Sequence, residues 1–158
     1  MKIVTKNSHE TKRVARDIAR KVLKFKKTSA VVIALEGNLG AGKTTFTQAF
    51  AQELGIKEKV LSPTFVLMKV YPLQIANSKS QIAKFRYLIH IDCYRIDSPG
   101  DLEHLGFKKL LKDKDAIILI EWADRVKKLL PKDTIWVNLK HGNKINTRII
   151  NIESRIMD

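Results

Sequence analysis

Cysteine is almost missing from this chain: Cys93 is the one example in 158 residues. A lone thiol closes no internal disulfide, and no Cys/His group has metal-ligand spacing, so a disulfide scaffold and a thiolate metal site are excluded. A reduced compartment is expected. Cys93 ends an apolar run and reads as a small core residue, since no activating base stands out for a nucleophile. Long apolar runs are missing too, and nothing approaches the roughly 20 residues that cross a bilayer. Lys2, Lys6, Lys12 and Arg13 interrupt the N-terminus where a secretory leader would be apolar. These absences predict a soluble, cytoplasmic protein. Internal repeats and low-complexity segments are also absent.

Acids are scarce relative to bases. Sixteen Asp and Glu face thirty Lys and Arg, a formal net charge of +14. Ten of the bases and two of the acids fall in residues 1–29. Such a surface attracts polyanions, RNA or an acidic protein; the plainer reading is a solvated Lys-rich surface. Hydrophobic residues make up 44% and charged residues 29%. That is ordinary globular composition, and the length suits one domain over residues 1–158.

Periodicity organises the chain. Val14, Ala15, Ile18, Ala19, Val22 and Leu23 recur at helical spacing, so residues 9–24 are expected to be a helix capped by Asn7 or Ser8. Ala30 to Leu35 is a continuous, β-branched apolar run and reads as a strand buried on both faces. A helix over 43–54 stops at Gly55. Val66 to Tyr71 is expected as a strand, and residues 72–85 as a long polar loop. Tyr87 to Ile91 and Ala116 to Ile120 are two more strands, ending at Asp92 and Glu121. Between them a helix capped by Ser98 carries Pro99 in its first turn and is interrupted at Gly106. A short helix over 123–130 precedes two alternating segments, Thr134 to Lys140 and Thr147 to Glu153, expected as a hairpin at the antiparallel edge of the sheet.

Between the first buried strand and the next helix lies Gly37-Asn38-Leu39-Gly40-Ala41-Gly42-Lys43-Thr44. This is the G-x-x-x-x-G-K-[ST] phosphate loop, or Walker A. Its glycines let successive backbone N–H groups turn in towards phosphate oxygens, Lys43 brings a charge for the β- and γ-phosphates, and Thr44 offers a hydroxyl to Mg²⁺. The helix behind it points its positive end at the same anion. The fold class that follows is α/β: a three-layer sandwich of the P-loop NTPase type, with a mixed central sheet and a C-terminal antiparallel hairpin. Ligands in such sheets sit beyond the carboxyl ends of the strands. Asp92 and Glu121 lie there, as apolar strands ending in acids, and are candidates for metal binding and for orienting water. Thr64, in Ser62-Pro63-Thr64-Phe65, is a candidate switch threonine that reaches the metal or the γ-phosphate. Trp122 either packs in the core or covers the nucleotide. No N-K-x-D guanine-reading motif is present, which favours ATP.

Four segments together resemble the TsaE family, also called YjeE: Leu39-Gly40-Ala41-Gly42-Lys43-Thr44-Thr45-Phe46, Ser62-Pro63-Thr64-Phe65, His90-Ile91-Asp92-Cys93-Tyr94-Arg95 and Ile120-Glu121-Trp122-Ala123-Asp124-Arg125. The resemblance spans roughly residues 8–140. It implies an Mg²⁺-dependent ATPase that supports tRNA threonylcarbamoyladenosine modification by acting with the TsaD–TsaB heterodimer, meeting tRNA through that complex and not transferring the group itself. It implies that Thr44 and Glu121 hold Mg²⁺, and that Asp92, Glu121, Lys43 and Thr64 serve catalysis. Asn38, Leu39, Gly40, Ala41, Gly42, Lys43, Thr44 and Thr45 would bind the nucleotide phosphates, with Trp122 near the nucleotide and Thr11 near the base. Three features depart from the family pattern: Asn38 stands where Asp is usual, Ala123 where Pro is usual, and the loop 72–85 is longer.

No arginine finger in cis stands out beyond Arg95 and Arg125. Two rival functions remain at this level. One is a small-molecule P-loop kinase, which needs an acceptor pocket and an arginine-rich lid; residues 72–85 supply only Lys79 and Lys84. The other is a non-enzymatic, nucleotide-gated RNA-binding module using the basic N-terminal helix.

Overall fold

The computed structural model describes residues 1–63, 65–73 and 85–154. In chain order the elements are β1 (Lys2–Thr5), α1 (Ser8–Leu23), β2 (Val31–Glu36), α2 (Lys43–Glu53), β3 (Met68–Pro72), β4 (Tyr87–Asp92), α3 (Gly100–His104), α4 (Phe107–Leu111), β5 (Ala116–Glu121), a 3₁₀ helix (Ala123–Leu129), β6 (Ile135–His141) and β7 (Arg148–Glu153). The strands form one mixed sheet in the order β1-β7-β6-β2-β5-β4-β3. Its centre, β6-β2-β5-β4, is parallel. Both flanks are antiparallel.

The apolar runs read from sequence form the central strands because both faces are covered. On one face Val31, Ile33 and Leu35 of β2 and Ile117 and Leu119 of β5 pack with α1 and α2. On the other, Val32, Ala34, Ile118 and Ile120 pack with Leu102, Phe107, Ala123 and Val126. Side chains alternate along a strand, so one run supplies both cores. The layers are therefore helix, sheet, helix. No helix among the described residues is long and apolar enough to cross a membrane.

Asn7 caps α1, its side chain accepting from the Glu10 N–H at 2.9 Å, while Glu10 returns a carboxylate to the Lys6 N–H at 2.8 Å. On the outer side of that helix Arg20 lies 2.7 Å from Glu53 of α2. Cys93 is fully buried, as its apolar setting suggested, and burial pushes its thiol up to about 12.

Several expectations need correction. The C-terminal hairpin is not the edge of the sheet, because β1 pairs outside β7 from Lys2 opposite Asn151 to Thr5 opposite Arg148. A four-residue strand has too few alternations to be seen in sequence; it is held by a pairing partner about 150 residues away. Ser98 does not cap the next helix with its side chain. Instead the Asp101 carboxylate accepts from the N–H groups of Asp97 and Ser98, at 3.2 and 3.1 Å. The expected interruption at Gly106 is present: at a positive φ of 73° it divides that segment into α3 and α4. The expected loop 72–85 lies outside the described residues at 74–84.

Candidate functional site

Strand parity decides which side chains meet. Leu88 of β4 and Ile117 and Leu119 of β5 belong to the core beneath α1 and α2. With a period of two, His90, Asp92 and Glu121 leave the sheet on that same side. Asp92 and Glu121 are register partners at the carboxyl ends of neighbouring parallel strands. The loop Gly37–Gly42 follows the end of β2 and delivers α2 over this rim. Three residues apart, Thr44 and Thr47 share the face of α2 turned to the sheet.

Glu121 is the centre of the polar cluster. It is 2% exposed. Its Oε2 accepts from the Thr44 hydroxyl at 3.2 Å. Its Oε1 lies 3.0 Å from the Thr47 hydroxyl and 3.0 Å from His90 Nε2. A carboxylate only accepts, so His90 donates through Nε2, and its Nδ1 is buried without a partner. The Thr47 hydroxyl has one proton and also lies 3.0 Å from the Lys43 carbonyl; the charged acceptor is the stronger. One carboxylate oxygen is thus anchored from two sides, while the other faces Thr44.

Asp92, also buried, accepts from the Ser62 hydroxyl and from the Tyr94 N–H at 2.8 Å. Lys43 Nζ donates to the carbonyls of Gly37 at 2.6 Å and Asn38 at 3.1 Å. It also stands 3.7 Å from the centre of the Trp122 ring. Burial holds the Lys43 ammonium below the ordinary lysine pKa, opposed by the charges of Glu121, Asp92 and Asp124. Trp122 takes a left-handed backbone, φ 57°, where a bulky residue is strained by about 1–3 kcal/mol. That turn, directly after Glu121, brings the indole between Lys43 and Tyr94, whose ring centre is 5.0 Å away.

These groups line a cavity of about 460 Å³ that contains Lys43, Thr44, Asp92, Glu121 and Trp122 together. A second cavity of about 280 Å³ shares Gly40, Gly42 and Thr45 with it and runs to Asn7 and Thr11. A glycine-rich loop at a helix N-terminus, an ammonium and a hydroxyl are groups that attract an anion, whereas the two acids on the same cavity repel one unless a cation lies between.

The sequence-derived residues are thus largely brought together. Lys43, Thr44, Asp92, Glu121 and Trp122 meet in the first cavity, with Gly40, Gly42, Leu39 and Thr45 on its wall. Thr11 is buried, its hydroxyl 2.9 Å from that of Thr5, and lines the second cavity. Asn38 lies apart, on a neighbouring cavity behind Trp122. Ala41 is buried and lines neither of the first two; its N–H donates to the Asn38 carbonyl at 3.1 Å. Thr64 lies outside the described residues. Arg95 lines the first cavity, whereas Arg125 donates to the Ile96 carbonyl at 3.3 Å. Sequence reasoning places His90 and Ser62 in the family-like segments without giving them a role, and it does not single out Thr47. Period two counted back from Asp92 finds His90, and a step of three from Thr44 finds Thr47; Ser62 carries no periodic signal.

Comparison with known proteins extends this picture. A family model described as "Threonylcarbamoyl adenosine biosynthesis protein TsaE" matches residues 5–150. The Bacillus subtilis protein named tRNA threonylcarbamoyladenosine biosynthesis protein TsaE is 36% identical over 138 residues, covering 87% of this chain and 76% of that one. The protein of the same name from Haemophilus influenzae is 34% identical over 129 residues, 82% of this chain and 75% of its own. That from Treponema pallidum is 31% identical over 140 residues, 89% and 91%. The crystal structure of Bacillus subtilis YdiB superposes with a TM-score of 0.70 at 30% identity, covering 98% of this chain and 84% of that one.

Proposed function

This chain belongs to the TsaE family, and from that premise we propose that it is a cytoplasmic Mg²⁺-dependent ATPase that serves tRNA threonylcarbamoyladenosine biosynthesis together with the TsaD–TsaB pair. The observation that carries the proposal is the Thr44 hydroxyl 3.2 Å from Glu121 Oε2, at the start of the phosphate-loop helix. A hydroxyl and a carboxylate are hard oxygen donors, the set that Mg²⁺ takes beside phosphates and water. Thr44 Oγ1 and Glu121 Oε2 would hold the ion. Bound there, it would neutralise charge on the phosphates and on the leaving group.

The chain's own groups do the rest. Lys43 gives up its carbonyl partners, Gly37 and Asn38, for phosphate oxygens, which as anions are the stronger acceptors. Loop amides hold the phosphates in place. Asp92, shaped by Ser62 and the Tyr94 N–H, orients the attacking water in line with the γ-phosphate. Trp122 closes one side against Lys43 and limits water there. Without an arginine committed to the γ-phosphate, turnover by the chain alone is slow, and the partner pair raises it.

The deciding experiment measures phosphate release from ATP with and without TsaD–TsaB. Mg²⁺-dependent release that rises with the pair supports the reading. Release that is undiminished in Lys43→Ala sinks the site, and transfer of the γ-phosphate to an added metabolite decides for a kinase.

A further inference from the structure

The rim of the phosphate loop is gripped from outside by the C-terminal hairpin. Leu139 and His141 stand two residues apart on β6 and so face the same way. At Leu139 the contact is already closed: a Cβ on Gly37 would lie 2.3 Å from the Leu139 carbonyl oxygen. At the end of the strand, His141 Nε2 lies 3.2 Å from the Leu39 carbonyl. Across the hairpin, Arg148 is the register partner of His141. Its Nη2 donates to the Gly40 carbonyl at 3.1 Å. Its Nη1 donates to the carbonyls of Ile145 and Thr147, both at 2.9 Å, so the guanidinium is fixed by the turn before it reaches the loop.

From these contacts we infer that His141 and Arg148 are positioning residues that preset the two peptides flanking Gly40, turning the Gly40 N–H towards the cavity and closing the loop turn through Ala41. A trans peptide points its C=O and N–H in opposite directions. Holding the Leu39 carbonyl towards the hairpin therefore turns the Gly40 N–H away from it. Holding the Gly40 carbonyl likewise turns the Ala41 N–H away, onto the Asn38 carbonyl at 3.1 Å, which closes the turn. Gly40 sits at φ 73°, a conformation open to several alternatives in a glycine. The two side-chain donors remove that freedom before any ligand arrives. The preset loop then spends less of its binding free energy on ordering. The inference rests on the reading of this loop as a nucleotide site.

The test compares wild type with His141→Ala, Arg148→Ala and the double variant, by calorimetric titration with ATP and with pyrophosphate. Two surface hydrogen bonds predict roughly ten-fold weaker binding of both probes by the double variant. The thermal midpoint stays within a few degrees of wild type. His141→Gln with Arg148→Lys, which restores donors at both points, recovers most of the affinity. Backbone amide NMR of the free protein shows the Gly40 and Ala41 resonances displaced in the double variant and restored in the conservative one. Equal affinity in wild type and double variant, with those resonances unmoved, overturns the inference. A wild type that binds neither ATP nor pyrophosphate overturns the nucleotide reading instead; the Gly40 and Ala41 resonances then still decide for or against the grip. If the double variant fails to fold, His141→Ala alone carries the same readouts.

Discussion

His90 Nε2 meets Glu121 Oε1 at 3.0 Å in a setting closed to solvent, with His90 fully buried and Glu121 2% exposed. A buried carboxylate is tolerated only when its oxygens are paired. Here Oε1 has two donors, His90 and Thr47, and Oε2 has Thr44. The division separates the structural use of Glu121 from its proposed use as a metal ligand.

The first prediction concerns that division. Thr47→Val keeps the shape of the side chain and removes one donor from Oε1. Mg²⁺ affinity, read from the Mg²⁺ dependence of ATPase activity and from Mg²⁺ titration of the ADP complex, is expected to fall by roughly two- to ten-fold. ADP affinity without Mg²⁺ stays near that of wild type. His90→Phe removes the other donor from a fully dry site and is expected to lower stability by about 2–4 kcal/mol by denaturant titration. A Thr47→Val protein with unchanged Mg²⁺ dependence shows that Oε1 has no part in shaping Oε2.

Lys43 provides the second. Its ammonium is held by two loop carbonyls and by the Trp122 ring. Lys43→Met removes the charge and keeps most of the stem. Phosphate release should drop on the order of 100-fold or more, because charge developing on the phosphates loses the ammonium of the loop. Circular dichroism should remain that of the folded protein. Residual activity within a few-fold of wild type contradicts the assignment.

The third separates binding from turnover. Asp92→Asn keeps an acceptor for the Tyr94 N–H but loses the negative charge. ATP affinity should change by less than about three-fold, while turnover falls by roughly 100-fold, the scale of a lost water-orienting group. Loss of ATP binding with turnover per bound ATP unchanged assigns Asp92 a different role.

How far the sequence reached follows from what each signal encodes. The central strands were legible because a run such as Ala116 to Ile120 is buried on both faces whatever lies around it. Lys43 and Thr44 were legible because the phosphate loop is local, a single turn written in glycines. Glu121 and Asp92 were legible as acids ending apolar runs. Their pairing was not, since it depends on β4 and β5 being neighbours in register. β1 was hidden because its partner is at the other end of the chain. His141 and Arg148 were hidden for a related reason: their contacts with Leu39 and Gly40 span about 100 residues, and no local pattern marks a surface side chain that bonds to a distant carbonyl.

The last prediction is a pH dependence at the other end of the sheet. The Tyr87 hydroxyl donates to the Asp113 carboxylate. That bond, with burial and the Asp113 charge behind it, pushes the Tyr87 phenol up to about 12. The same bond, helped by the Asp115 N–H, holds Asp113 below the usual carboxylate range. The Tyr87 contribution to stability is complete below its unfolded pKa of about 10 and is lost as pH rises through about 12. The Asp113 contribution is present above its unfolded pKa of about 3.9 and is lost as pH falls through its depressed folded value. Tyr87→Phe removes the bond from both. The difference in thermal midpoint between wild type and Tyr87→Phe should therefore be widest between about pH 5 and 9 and shrink at either extreme. The pair lies near the surface, so solvent screening keeps the difference to a few degrees. A difference that stays constant from that plateau out to both the acid and the alkaline extremes means the hydrogen bond contributes nothing that titrates, and Tyr87 stabilises the strand through packing alone.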